Sequence, residues 1–255
     1  MSTGILFIAR MGSTRLEGKH LIRAGGRSFF EWLIGRFAWQ FAEEITEGKV
    51  KLVIATSAKP ENRKFEELKT TIKSLEVFYG DDANIPKRMS ECTEAFGFSH
   101  IISVDGDDIL CSSEAGRAVY NAFVKDPSIP HIYTKGLPLG MNVAGLERKY
   151  LQQSVKNAGQ GKLETGWGRI FKTEPMVLDM KTGEKPNLRF TLDYTQDAEF
   201  FSAVIEQLGE ETLTVSDKRL VKLVEDKELF KINAEVNEEY WRNFNKEVLK
   251  EKDAE

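Results

Sequence analysis

Cysteine is scarce in this chain: Cys92 and Cys111 are the two thiols among 255 residues. So small a supply excludes a disulfide scaffold and fits reduced thiols in a cytoplasmic protein. Long apolar runs are also missing. Nothing approaches the ~20 residues of a membrane span, and the short apolar segment 4–9 runs straight into Arg10, unlike a signal-peptide core. A membrane partner is therefore not expected. Basic excess is absent too: the formal net charge is −4, which argues against nucleic acid as a partner while leaving room for a local basic pocket. The chain has no internal repeat and no low-complexity tract.

What remains is ordinary globular material, 41% hydrophobic and 30% charged, long enough to bury a full core. Short apolar runs at 5–9, 52–56, 77–79 and 100–104 read as strands. Between the first two, Phe29, Phe30, Leu33, Phe37 and Phe41 recur at the spacing of one helix face. Segments 61–73 and 85–96 show the same helical period with more charge. Strand alternating with helix predicts an α/β, Rossmann-like fold, a mostly parallel central sheet with helices on both faces.

The pattern changes after Asp126-Pro-Ser-Ile-Pro130. A strand at 131–134 and a Gly/Pro-rich turn at 136–140 lead into an irregular stretch up to Pro186. Segment 188–192 reads as a strand, 195–208 and 216–224 as helices with Thr195 as a cap, and 238–250 as a charged terminal helix. The last six residues read as a solvated, fraying end. We expect one domain over 1–255, with 131–186 as a small inserted acceptor or dimerisation region.

Two features carry chemistry. The first is Arg10-Met-Gly-Ser-Thr-Arg-Leu-Glu-Gly-Lys19, directly after the first strand. Ligands of open α/β sheets bind beyond the carboxyl ends of the strands. There, Gly12, Ser13, Thr14 and Gly18 let the backbone turn its amides toward an anion, and Arg10, Arg15 and Lys19 can spread over a triphosphate. It is neither a Walker A loop, since five residues separate Gly12 from Gly18 and His20 follows Lys19, nor a G-x-G-x-x-G turn. The second feature is acidic: strand 101–104 ends in Asp105-Gly-Asp107-Asp108, and Asp193 ends 188–192. Carboxylates facing a phosphate loop suit Mg²⁺, which takes one or two of them plus phosphate oxygens and water. Turn and cap hydrogen bonding is the competing reading of the same acids. Lys87 and Arg88 read equally as a solvated helix face. Arg189 can hold an acidic acceptor or pair with a nearby Asp, and Trp167 can be core, dimer contact or substrate wall.

The ten-residue loop resembles the opening signature of the CMP-sugar-acid synthetases, the cytidylyltransferases that activate 3-deoxy-octulosonate and sialic-type acids, with the spore-coat polysaccharide cytidylyltransferase-like branch the most similar. The resemblance spans residues 4–235 and is thinnest over 140–185. It implies a nucleotide-diphospho-sugar transferase-like fold, CTP as nucleotide, a small acidic acceptor such as a sugar acid, and a homodimer joined through the mid-chain arm. Gly106-Asp107 and Leu192-Asp193, with Asp197 following, match the positions at which this family places Mg²⁺, so the resemblance gives that role to Asp107 and Asp193. It gives catalytic roles on the phosphates to Arg10, Arg15 and Lys19, and puts Ala9, Gly12, Ser13, Thr56, Ser57, Gly80, Arg88 and Asp105 around the nucleotide. Gly140, Asn142 and Arg189 fall on the acceptor side. There the chain departs from the family: Pro138-Leu-Gly140-Met-Asn142-Val-Ala144 has Asn142 and Ala144 where acids are usual, and the segment Glu164 to Arg169 lacks the His of a Glu-His pair. Two other readings stay open. A glycosyltransferase could use Asp105-Gly-Asp107 as a metal-holding Asp-x-Asp pair, and a relative could bind CTP without turnover.

Overall fold

The computed structural model describes residues 1–13, 15–159, 161–183 and 185–253, the side chains of Lys252 and Asp253 excepted. The loop residue Thr14 thus lies outside the described residues. The chain opens with β1 (Thr3–Ile8) and the phosphate-loop segment, then a small hairpin of β2 (Arg23–Ala24) and β3 (Arg27–Ser28). Gly25 and Gly26, both at positive φ, make its two-residue turn. α1 (Phe29–Gln40) begins on a capping box in which Ser28 and Glu31 satisfy each other's amides. α2 (Ala42–Thr46), β4 (Val50–Ser57), β5 (Leu75–Gly80), α3 (Ile85–Ala95), β6 (His100–Asp105) and α4 (Ser113–Lys125) follow. Beyond them come β7 (His131–Lys135), β8 (Ala144–Glu147), α5 (Arg148–Ala158), β9 (Met176–Asp179), α6 (Thr195–Leu208), α7 (Asp217–Asp226) and α8 (Val236–Asp253).

The strands form one sheet in the order β5-β4-β1-β6-β8-β7-β9. β5, β4, β1 and β6 run parallel, and β8 is antiparallel to both its neighbours. β1 shows why the sheet is covered on both faces. Its alternate residues Ile5 and Phe7 join one core, with α1 and α4, while Leu6 and Ile8 join another, with α3 and α5. All four are buried. Phe7 meets Phe37 edge-on at 5.5 Å, and Phe7, Phe30, Phe65 and Phe29 bury fully in the same core. Each such ring contributes ~1.5–3 kcal/mol by leaving water.

The alternation expected from sequence is therefore present, with four differences. Segment 60–70 is a 3₁₀ helix, and its buried residues Asn62, Phe65 and Leu68 recur every third position, the period of that helix. The stretch read as irregular contains β8, α5 and β9, and β8 and β9 belong to the main sheet. Thr195 does not cap α6. The Asp197 carboxylate does so, accepting from the amides of Asp193 (2.9 Å) and Tyr194 (3.0 Å).

Segment 188–192 is the fourth difference: it is not a sheet strand. Phe190 donates its amide to Leu139 and Leu192 donates to Asp107, so two different loops share its hydrogen bonds and no ladder forms. Arg189 and Thr191 are buried along with Leu188, Phe190 and Leu192, which removes the one-sided alternation of a strand. The segment lies across the loops at the carboxyl ends of the parallel strands, and that brings Asp193 to the site. Gly140 makes this crossing possible. Its φ is +85°, and a Cβ there would sit 2.2 Å from the Phe190 carbonyl oxygen.

Candidate active site

β1 and β6 are adjacent and in register, Ile8 against Asp105, so the phosphate loop and the Asp105–Asp108 turn leave the sheet side by side. Gly106 lets them touch: its amide donates to Ile8 at 2.8 Å, and a Cβ would stand 2.7 Å from both Ala9 Cβ and the Ile8 carbonyl. The loop is anchored on its other side by Asn62, which accepts from the Met11 amide at 2.7 Å and donates to the Ser57 carbonyl and hydroxyl at 3.0 and 2.8 Å. Gly18, at φ +62°, turns the chain so that Lys19 and His20 point inward.

Lys19 is the centre of the site. Its ammonium, almost fully buried, lies 2.8 Å from Asp107 Oδ2 and 3.3 Å from Asp193 Oδ1, and donates to the Leu192 carbonyl at 2.7 Å. Arg15 reaches the same Asp193 oxygen at 2.5 Å. His20 meets the other Asp107 oxygen at 3.1 Å, wedged against the Phe30 and Phe65 rings. Two carboxylates bridged by one ammonium are close enough to share one cation, and their donor set fits Mg²⁺ completed by phosphate oxygens and water. Among the described residues no group of three or more His, Cys, Asp or Glu converges as a metal cage.

The electrostatics follow from enclosure. Burial opposes the charge on Asp107, but Lys19 and His20 outweigh it and hold that carboxyl well below the usual range. Burial likewise opposes the charge on Lys19, and Asp107 and Asp193 overcome it, raising the ammonium. Asp105 opens into the cleft without a cation of its own, and enclosure, then the charges of Asp107 and Asp193, push it up to about 7. Asp108, buried beside it, is raised well above the ordinary carboxyl value for the same reasons.

Asp193 is held by a further network. Arg189 donates to Asp193 Oδ2 (3.2 Å) and to Asp197 Oδ1 (3.0 Å) and Oδ2 (3.2 Å), and Asn233 donates to Asp197 at 2.9 Å. Of the two readings open for Arg189, pairing with Asp is therefore the one observed. Its guanidinium also stacks over the Tyr240 ring of α8 at 4.1 Å.

The other expected site residues divide. Ala9, Gly12 and Ser13 lie in the loop, and Asp105 faces the cleft. Thr56 and Ser57 are fully buried, and Ser57 acts on the loop through Asn62. Arg88 is buried and donates to the carbonyls of Asp81 and Asp82 at 2.8 and 3.0 Å, so it shapes the turn after β5. Gly80 packs against that Arg88 stem. Asn142 donates to the Leu137 carbonyl at 3.2 Å and accepts from the Thr134 hydroxyl of β7 at 3.4 Å.

Sequence reading gave no role to Asn62 or Glu251 and did not foresee the partner of Glu164. Glu164 pairs bidentately with Arg10 and also with Lys162 at 3.2 Å. The amides of Glu164 and Thr165 donate to Glu251 of α8 at 3.1–3.2 Å, and Glu251 is buried, not solvated as the terminal run suggested. Partners 154 and 87 residues apart leave no local signal. The C-terminal helix thus fixes the segment that occupies Arg10.

No protein-family model matches the chain. Over 229 residues it is 27% identical to the spore coat polysaccharide biosynthesis protein SpsF of Bacillus subtilis, covering 86% of this chain and 93% of that protein. It is 25% identical over 150 residues to an uncharacterized protein of Methanocaldococcus jannaschii, 59% of this chain and 58% of that one. Its fold matches a cytidylyltransferase from Leptospira borgpetersenii with a TM-score of 0.77 at 18% identity, covering 90% of this chain and 96% of that one. A CMP:2-keto-3-deoxy-manno-octonic acid synthetase complexed with CTP matches at 0.59 and 15% identity, covering 81% and 99%. The chain therefore has the nucleotidyltransferase Rossmann-like fold that these cytidylyltransferases share, and in sequence it is similar to a spore coat polysaccharide biosynthesis protein.

An anion that binds Arg10 competes with Glu164 for its guanidinium. Replacing Glu164→Gln removes the competing charge, and because Arg10 is part-exposed the gain is small, about 2- to 5-fold tighter triphosphate binding. Calorimetric titration of wild type and variant with CTP reads it directly; unchanged or weaker binding contradicts the competition.

Proposed function

We propose that this protein is a cytidylyltransferase that moves the CMP group of CTP onto a hydroxyl-bearing acceptor and releases pyrophosphate. The observation that carries the proposal is the meeting of Arg15 and Lys19 with Asp107 and Asp193 at the carboxyl end of the parallel sheet. The relatives in sequence and fold add support; the choice of cytosine rests on them and on the resemblance of the loop.

In this reading an acceptor oxygen attacks the α-phosphorus in line, a new phosphorus–oxygen bond forms, and the bond to the β-phosphate oxygen breaks. Arg10, Arg15 and Lys19 hold the outer phosphates and stabilise the charge that builds on departing pyrophosphate. Loop amides around Gly12 and Ser13 bind the triphosphate, and Lys19 trades its carboxylate partners for phosphate oxygens. Asp107 and Asp193 would hold Mg²⁺, which supplies Lewis-acid polarisation of the phosphate and charge neutralisation. Arg189, Asp197 and Asn233 keep Asp193 oriented, and His20 does so for Asp107. Asp105, open to the cleft, is the carboxylate to which we assign the acceptor's proton. Most of the rate then comes from positioning and electrostatics.

Thermal unfolding with Mg²⁺ and each of CTP, UTP, ATP and GTP tests the nucleotide. At 100 times its dissociation constant a ligand adds ~2.7 kcal/mol, and we expect CTP to give the largest shift. Asp107→Asn is expected to lower turnover by ~10²–10³ or more with the fold intact. A shift by a nucleotide sugar alone, with nucleoside diphosphate as product, would instead establish a glycosyltransferase, and CTP binding without turnover on any acceptor an inactive relative.

We also infer a homodimer joined through residues 131–186, whose outer strand β9 exposes Met176 and Val177. Light scattering at micromolar concentration is expected to give twice the 28.9 kDa chain mass; a monomer alone refutes it.

A further inference from the structure

The C-terminal helix α8 bridges the two sides of the proposed site. On the Asp193 side, the Tyr240 ring stacks on the Arg189 guanidinium at 4.1 Å. One turn on, Asn243 donates to the Tyr194 hydroxyl at 3.1 Å, and the Tyr194 ring lies 5.5 Å from the Arg15 guanidinium. On the Arg10 side, buried Glu251 accepts from the amides of Glu164 and Thr165 and pairs with Arg169 at 3.5 Å. Between these ends, Phe244 and Val248 approach Gly166, where a Cβ would stand 3.0 Å from Val248 Cγ2.

The attachment is narrow. Tyr240, Asn243, Phe244, Glu247 and Val248 are half-buried at the spacing of one helix face, and no residue from Asn237 to Lys250 is buried. So little apolar burial leaves α8 at the low-stability end of the fold, docked chiefly by polar contacts near its two ends. One of those contacts reaches the phosphate loop. Glu251 fixes the backbone of Glu164, and the Glu164 carboxylate pairs with Arg10. A triphosphate that takes Arg10 leaves Glu164 beside a polyanion, with Lys162 as its other ion-pair partner among the described residues. Like charge then pushes on the segment that Glu251 holds.

We propose that α8 is an autoinhibitory strap: docked, it holds Glu164 on Arg10 through Glu251, and a triphosphate that binds the loop releases it. Glu251 is in this account a positioning residue that acts on Arg10 through Glu164. The choice of ligand rests on the nucleotide reading of the loop. Because docking of α8 and binding of triphosphate compete, each weakens the other by the same factor.

Amide hydrogen exchange of the full-length protein, read on peptides covering 240–251, tests the proposal. With CTP and Mg²⁺ we expect exchange in α8 to rise at least ~3-fold. Glu251→Gln and Phe244→Ala loosen the two parts of the attachment separately, and each is expected to raise exchange without ligand and to bind CTP about 2- to 5-fold more tightly. Glu164→Gln breaks the link to Arg10 and is expected to bind CTP while losing most of the CTP-induced rise. Exchange in α8 that CTP slows or leaves unchanged, in a protein whose melting point CTP raises, overturns the proposal. So does CTP binding that neither α8 variant tightens, or a rise undiminished in Glu164→Gln. If CTP does not shift the melting point, the nucleotide reading fails, and inorganic tripolyphosphate with Mg²⁺ becomes the probe. A rise in α8 exchange with that anion sustains the strap, and no rise overturns it.

Discussion

The Lys19 ammonium, buried between Asp107 and Asp193, is the interaction on which the rest of the site depends. Two carboxylates this close repel, and removing either from water is costly unless a cation offsets the charge. Lys19 supplies that cation from the phosphate loop, Asp107 comes from the turn after β6, and Asp193 from a segment that crosses the sheet end. One ammonium thus ties together three stretches of chain that the fold brings to one edge. Gly106 and Gly140 permit the two close backbone approaches that this convergence needs.

The same arrangement supports the proposed phosphate ligand. Arg10, Arg15 and Lys19 are all held by carboxylates, two of them the proposed metal-holding pair and the third Glu164. In the proposed reading, an incoming triphosphate would be held by the loop cations, and the freed carboxylates Asp107 and Asp193 would hold the divalent cation. Charge would then be exchanged between partners without being exposed, which would keep the reorganisation small in a low-dielectric cleft.

Much of this was legible in the sequence because it is local. Strand 5–9, the Phe29-to-Phe41 stripe, the glycines and cations of residues 10–19 and the acids after strand 101–104 each announce themselves within a dozen residues, and these carry both the fold class and the loop. What was not legible is what depends on distance or on two-sided burial. Leu188 to Leu192 alternates like a strand, but Arg189 is buried as deeply as Phe190, so the segment is a crossing and not a sheet member. The roles of Asn62, Glu164 and Glu251 follow from partners 51, 154 and 87 residues away. Arg189 left two readings open, and the geometry that decides between them includes Asn233 and Tyr240, which lie far along the chain.

The central claim is that Asp107 and Asp193 form a divalent-cation site completed by the nucleotide. Titration with Mn²⁺ followed by electron paramagnetic resonance, with and without CTP, tests it most directly. The account predicts weak Mn²⁺ binding to the protein alone, much tighter binding when CTP is present, and loss of that enhancement in both Asp107→Asn and Asp193→Asn. Mn²⁺ binding that is indifferent to CTP, or enhancement that survives either substitution, would contradict it.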